Sequence, residues 1–348
     1  MRKPIWQFIF DQWSTVPPVE KANLRGKTVV VIGANVGIGL EATKHFARMN
    51  PSRLILGCRS ETKGREAIEE VKRETKYGES ELWPIDLADF SSVKAFADRF
   101  NKKKQGKGLD ILVMNAGILQ LNYEEAKDGW ESTIQVNHLS TALLSLLLMP
   151  NMISAGTLSS PSRVVIVSSD VHYWATIEDE VRNSPKVLAK LSDKTYCTTN
   201  AMRRRYHQTK LFNLFFVRAM AAHLRLKTPM AAVAVNPGYC YSQLRRFHYS
   251  RPMLNMFVRM MELLLAWTSE QGARQLVYAA VGARKKGGSG CEEELKGGYV
   301  HLAEVVEPSD FVISKEGGML QEKIWNETIE ILSGVTPKIG DIVAEYFQ

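Results

Sequence analysis

The chain has no C-x-x-C pair and no H-x-x-x-H spacing, so neither a dithiol redox centre nor a zinc site of common spacing is written into it. Its four cysteines, Cys58, Cys197, Cys240 and Cys291, lie far apart among 348 residues. That pattern excludes a disulfide scaffold and fits free thiols in a reducing compartment. No apolar run reads as long enough to cross a bilayer. A cleavable leader is also missing: the apolar stretch Ile5–Phe10 is short, Asp11 and Gln12 break it, and no small-residue cleavage site follows. A cytoplasmic, non-secreted protein is expected. Internal repeats and low-complexity tracts are absent. The net charge of +8 is scattered, with runs only at Lys102–Lys104 and Arg203–Arg205. No nucleic-acid motif accompanies them, so nucleic acid is not an expected partner; affinity for an anionic cofactor or a membrane surface is.

What is present begins at Thr28–Gly39, TVVVIGANVGIG. The β-branched run Thr28–Ile32 reads as a buried strand. It enters Gly33, Gly37 and Gly39, and a helical pattern follows from Leu40 to Met49. Strand, glycine turn and helix together aim backbone N–H groups and a helix N-terminus at an anion. Gly33 suits a tight turn, Gly37 a close approach of phosphate, and Gly39 close packing of helix on strand.

Further strands are expected at Arg53–Gly57, Glu81–Ile85, Leu109–Met114, Arg163–Val167 and Ala231–Val235, with charged or amphipathic helices between them. Strands alternating with helices imply a doubly wound, mostly parallel α/β sheet covered on both faces. Ligands in such sheets bind at the carboxyl ends of the strands. There the chain places Gly33, Arg59, Asp86, Asn115, Ser169 and Pro237-Gly238. An acidic residue after the second strand would bond a ribose 2′-hydroxyl; Cys58-Arg59 stands there instead, and an arginine fork suits a 2′-phosphate. Asp86 can accept from an adenine amino group or merely cap a helix. Asn137 falls inside an expected long helix, from about Asp128 to Met149, where an amide needs partners.

Tyr206 and Lys210 are four apart, one helical turn from each other. An ammonium beside a phenol favours phenolate, which makes Tyr206 a usable general acid/base. The ordered set IGANVGIG, Cys58-Arg59, Asp86-Leu87, Asn115-Ala116-Gly117, Asn137, Val167-Ser168-Ser169, YHQTK at Tyr206–Lys210 and Asn236-Pro237-Gly238 resembles the short-chain dehydrogenase/reductases, closest to the retinol-dehydrogenase-like branch. The resemblance covers about Leu24–Gly282. It implies that Tyr206 exchanges a proton with the substrate oxygen and that Ser169, more than Ser168, holds that oxygen. Lys210 would support Tyr206 and bind the nicotinamide ribose, and Asn137 would hold a proton-relaying water. NADP would lie on Gly33, Asn35, Gly37, Ile38, Gly39, Arg59, Asp86, Leu87, Asn115, Ala116, Gly117, Tyr206, Lys210, Pro237, Gly238 and Ser242. No metal is implied.

The chain departs from the family pattern in places. Ile32 stands where threonine is usual, Thr209 where serine is, and Cys240 and Ser242 where PGxVxT has valine and threonine. Ser169 and Tyr206 are 37 positions apart, so an insertion over 170–205 is expected to form a flap, with His172, Tyr173 and Trp174 lining a pocket or packing outside it. The Met-rich stretch Pro252–Trp267, within a lid region over 239–270, suits an irregular lipophilic substrate, an ordinary core helix or a membrane face. Residues 1–23 read as an N-terminal extension, either packed on the domain or lying in a membrane interface; residues 24–348 read as one domain. The tail helix Leu320–Leu332 is amphipathic and could dock on the domain or on a partner, a second copy included. An NADP(H)-dependent oxidoreductase interconverting an alcohol and a carbonyl on a lipophilic small molecule is expected. A catalytically silent NADP(H)-binding protein and an epimerase or dehydratase on the same fold are the alternatives.

Overall fold

The computed structural model describes residues 3–103, 108–242, 244, 252–282 and 290–348. One sheet organises it. Strands β1 (Thr28–Ile32), β2 (Arg53–Cys58), β3 (Ser80–Pro84), β4 (Ile111–Met114), β5 (Ser162–Val167) and β6 (Met230–Val235) run parallel, and β7 (Tyr299–His301) continues them. The last strand, β8 (Glu304–Val306), is antiparallel to β7. The order is 3-2-1-4-5-6-7-8, so the chain reverses direction across the sheet between β1 and β4. At such a switch point, a crevice opens beyond the strand ends.

Because successive side chains point to opposite faces, each strand feeds two cores. Val30, Ile32, Leu112, Met114, Val164 and Ile166 join one buried cluster, and Val29, Val31, Ile111, Val113, Val165 and Val167 join the other. That is why these strands are apolar without alternation.

The helices, in chain order, are α1 (Ile5–Trp13), α2 (Gly37–Arg48), α3 (Glu61–Thr75), α4 (Phe90–Lys103), α5 (Ser132–Ile134), α6 (Ser140–Ala155), α7 (Asp179–Arg182), α8 (Val187–Ser192), α9 (Thr199–His223), α10 (Pro252–Leu265), α11 (Ser269–Val281), α12 (Gly290–Leu295), α13 (Asp310–Ile313), α14 (Lys315–Val335) and α15 (Lys338–Tyr346). Apolar residues of α4, α6, α9 and α14 cover one face of the sheet; those of α2, α3 and α11 cover the other.

Several boundaries differ from expectation, each for a local reason. The long helix does not begin at Asp128. Glu131 caps it, accepting from Thr133 N–H at 2.8 Å and Ile134 N–H at 3.1 Å, and a π turn over Gln135–Leu139 joins α5 to α6. Together Ser132–Ala155 is long and apolar enough to cross a membrane, contrary to the sequence expectation, but it is a core helix, buried on nearly all sides. Helix α9 starts at Thr199, capped by Thr198, so Tyr206 and Lys210 lie in its interior. The stretch Gly297–Val306 forms two strands, β7 and β8, about a turn in which Leu302 and Ala303 both take positive φ, 51° and 57°. Such a turn favours Asn or Gly; here Ala303 N–H donates to Gln275 Oε1 at 2.7 Å and holds it.

Candidate active site

The glycine turn is built by contact. Gly33 has φ +83°, and a Cβ there would sit 2.9 Å from the Cα of Ala116. A Cβ on Gly39 would fall 2.1 Å from the carbonyl oxygen of Gly33. The turns after β1 and β4 therefore interlock: Asn115 and Ala116 N–H both donate to Ile32 O, at 3.1 and 3.0 Å, and Asn115 Nδ2 donates to Gly33 O at 3.1 Å. Gly37 is different. A Cβ there would meet only Ser269 Oγ, at 3.8 Å, so the space before the N-terminus of α2 is open. Asn35 and Ile38 flank that space and are half-buried. An anion fits there on the helix dipole and free N–H groups.

The π turn explains Asn137. Its side chain is 1% exposed. Oδ1 accepts from Ile118 N–H at 2.8 Å, and Nδ2 donates to Ile118 O at 2.8 Å and to Thr209 Oγ1 at 3.1 Å. One amide thus clamps the irregular segment after Gly117 to helix α9. A Cβ on Gly117 would lie 3.2 Å from Asn137 Oδ1 and 3.7 Å from Lys210 Nζ. Lys210 Nζ donates to Val167 O, the last residue of β5, at 2.8 Å. Lys210 is buried, and among the described residues no carboxylate faces it; burial pushes its pKa down to about 8. The same ammonium lies 5.5 Å from the centroid of the Tyr206 ring.

The two serines separate cleanly. Ser168 is buried and its Oγ donates to Lys210 O at 2.8 Å. Ser169 is half-buried and caps the short 3-10 turn Asp170–Trp174 through a long 3.4 Å bond from Val171 N–H. Of the two, only Ser169 keeps its hydroxyl hydrogen uncommitted among the described residues. Thr209 in place of serine costs nothing visible: Oγ1 donates to Tyr206 O at 2.9 Å and accepts from Asn137. Thus Ser169, Tyr206, Lys210, Asn137 and Gly117 come together at the carboxyl ends of β4 and β5.

The nucleotide side is more exposed. Arg59 follows β2 and is exposed; no described residue bonds or pairs with it. Cys58 beside it is buried, which pushes its thiol up to about 11 against an opposing bond from Ala34, so it carries no negative charge at neutral pH. Asp86 Oδ1 accepts from Ala88 N–H at 2.9 Å, a local turn, and Leu87 is a core residue whose carbonyl accepts from Ser140 Oγ at 2.6 Å. Gly238 has φ +80° and lies against the Trp267 ring, where a Cβ would approach to 2.3 Å; Pro237 O accepts from Cys240 Sγ. Ser242 Oγ accepts from Leu244 N–H at 3.1 Å.

Some features escaped sequence reasoning. Arg205 reads as part of a surface basic run but is fully buried, with Nε 3.3 Å from the equally buried Glu131, the cap of α5. This pair fixes the residue before Tyr206 to the start of the π-turn helix. His172 does not line a pocket: it is buried, bonded to Ser169 O at 2.8 Å and to Ser309 N–H at 3.3 Å. Tyr173 donates to Glu307 O and Trp174 to Lys3 O. Residues 170–205 pack rather than hang: Val181, Val187, Leu188 and Leu191 enter the main core, and Glu327 of α14 caps α8. Asp11, Asp170 and His301 bring ligand atoms within 4.8 Å of one another, a metal-like group, but Lys3 Nζ lies 2.5 Å from Asp11 and 2.6 Å from Asp170. An ammonium takes the place a metal ion would fill. A lysine in a segment otherwise read as aromatic was the available signal.

A family profile described as short chain dehydrogenase matches residues 27–175. The chain is 34% identical over 336 residues to the short chain dehydrogenase/reductase dmxR8 of Cryptosporiopsis sp. (strain 8999), covering 95% of this chain and 98% of that one. It is 37% identical over 265 residues to the short chain dehydrogenase sol3 of Alternaria solani, covering 76% of this chain and 88% of that one. Among solved structures, an NADPH-bound carbonyl reductase from chicken fatty liver shares the fold at a TM-score of 0.54 and 19% identity, covering 82% of this chain and all of that one. The relatives place the family without singling out the retinol-dehydrogenase-like branch. With the glycine turn, the Tyr206–Lys210 pair and these relatives in agreement, the chain belongs to the short-chain dehydrogenase/reductase family, an oxidoreductase family.

Proposed function

We propose that the protein is an NADP(H)-dependent oxidoreductase that interconverts an alcohol and a ketone or aldehyde on a lipophilic small molecule. The observation that carries this reading is Lys210, a buried cation without a carboxylate partner among the described residues, placed beside the Tyr206 ring and the β5 carboxyl end. Its charge favours negative charge on the Tyr206 oxygen and leaves donors for ribose hydroxyls.

The residues present fit the dinucleotide. The open space before Gly37 suits its phosphates, and Arg59 offers an unengaged guanidinium for a 2′-phosphate. When bound, NADP(H) supplies or accepts the hydride at its nicotinamide. The chain's own residues do the rest. Ser169 Oγ holds the substrate oxygen. Tyr206 delivers a proton to that oxygen in reduction and removes it in oxidation, a role worth typically two to four orders of magnitude in rate. Lys210 stabilises the phenolate left behind. Asn137 acts as a positioning residue through Ile118 and Thr209. Reduction is the expected direction where NADPH is held largely reduced.

Two features support a lipophilic substrate. Phe8, Trp174 and Tyr239 form an aromatic cluster on the segments that follow Ser169 and Gly238, with ring centroids 5.5 and 6.3 Å from Phe8. The segment over 252–265 is apolar in sequence, although the side chains of its first half lie outside the described residues. The test is NADPH absorbance followed with a panel of lipophilic ketones and aldehydes, with NADH in parallel. Oxidation of NADPH well ahead of NADH is expected. Preference for NADH, or binding without turnover across the panel, contradicts the reading.

A further inference from the structure

The helix α1 is fixed to the domain on one side and bare on the other. On its inner side, Lys3 pairs with Asp170 and Asp11, and Gln12 O accepts from Trp267 Nε1 at 2.7 Å. Gln12 Oε1 accepts from Tyr239 N–H at 3.1 Å, and Phe8 stacks edge-on with Trp174 and Tyr239. The orientation of the helix is therefore set by contacts to the 3-10 turn after Ser169, the loop after Gly238 and the start of α11.

On its outer side Trp6, Phe10 and Trp13 form a chain of edge-to-face rings, with centroids 6.1 and 6.4 Å apart. Trp13 Nε1 donates to Leu264 O at 3.2 Å, which joins this face to the end of α10. There Met260, Leu263 and Leu264 are also bare. The six side chains are 50% to 79% exposed. Two segments some 250 residues apart thus build one apolar face, which isolated surface hydrophobics do not do.

The charges around the face are one-sided. The sole ionisable residue of α1, Asp11, turns inward to Lys3. In Arg259–Leu265, Glu262 is buried while Arg259 is exposed. Among the described residues of α1 and Arg259–Leu265, no carboxylate is exposed on the face, and the whole chain carries +8. Tryptophans at the rim of an apolar face sit well at the headgroup level of a bilayer, and basic charge draws such a face to anionic lipid.

We propose that this face of α1 and α10 docks on an anionic lipid surface. The proposal stands apart from the reading of the active site. It is tested with the full chain mixed with vesicles of phosphatidylcholine alone or with phosphatidylserine, followed by flotation and by tryptophan fluorescence. The chain should float with the anionic vesicles, less so at high salt. The double variant Trp6→Glu, Leu263→Glu should lose roughly tenfold or more in partitioning, with an unchanged thermal midpoint, while Trp6→Phe should keep most of it. Failure of the natural chain to float with either vesicle overturns the proposal, as does equal flotation of the folded double variant. A dimer that the double variant converts to monomer, without vesicle binding by the natural chain, assigns the face to a second copy and also overturns it.

Discussion

Asn137→Ala should unfasten the site before it unfolds the protein. In the structure the amide makes three bonds, two to the backbone of Ile118 and one to Thr209 Oγ1. Alanine removes all three. Thr209 Oγ1 keeps its bond to Tyr206 O, so it loses little. Ile118 N–H and C=O lose their protein partners. An orphaned buried group costs about 1–3 kcal/mol, but Ile118 is half-buried and water can reach part of the gap. We therefore expect a loss of about 2–3 kcal/mol, read as a lower urea midpoint at constant slope. Aspartate is the sharper probe. It keeps the acceptor for Ile118 N–H but sets a carboxylate oxygen 2.8 Å from Ile118 O, where a donor stood. Asn137→Asp should thus be at least as damaging as alanine near neutral pH despite its near-identical shape. In both variants kcat should fall more than NADPH affinity, because Gly117 and Lys210 shift together. An aspartate variant as stable and active as the natural protein would refute the clamp.

Two further outcomes follow from the geometry. Arg59→Ala should weaken NADPH by roughly ten- to a hundredfold, the worth of a charge-assisted bond or two, and leave NADH nearly unchanged in titrations by fluorescence; equal losses would remove Arg59 from the 2′-phosphate. His138 and His172 are buried, which lowers each pKa from 6.5 to about 4. Between those values the unfolded chain takes up protons the folded chain refuses, so stability is full above about pH 6.5 and falls as pH drops towards 4, by on the order of 3 kcal/mol per histidine. His138→Gln, which keeps a bond to Thr328 Oγ1 within reach, should flatten part of that acid limb in thermal melts; an unchanged limb would show that His138 does not titrate as described.

The sheet was legible because its strands are buried on both faces and so read as runs without polar alternation, β-branched at Thr28–Ile32 and small and apolar at Ala231–Val235. At their carboxyl ends Asn115 contacts Gly33 and Lys210 reaches Val167. The preference for Ser169 over Ser168 agrees with the bond that commits Ser168 Oγ to Lys210 O. What was not legible depends on contacts between distant segments. Nothing local distinguishes Arg205 from Arg203 and Arg204; only the fold brings Glu131 to it. The π turn at Asn137 follows from bonds to Ile118 and Thr209, neither a sequence neighbour. Lys3 could not be matched with Asp170, 167 positions away. His172 was misplaced because an aromatic run looks alike in a pocket wall and in a core. Helix α15 was not anticipated, since Lys338–Tyr346 is short and buries only Ile339 and Ile342.

The central claim is that Tyr206 moves the proton while the nucleotide site stands independently of it. Tyr206→Phe removes one oxygen and keeps the ring beside Lys210. NADPH titration and carbonyl-dependent NADPH oxidation, measured on the same preparation, test it directly. NADPH binding within about twofold of the natural protein is expected, with turnover lower by at least about a hundredfold. Turnover retained in the phenylalanine variant would contradict it.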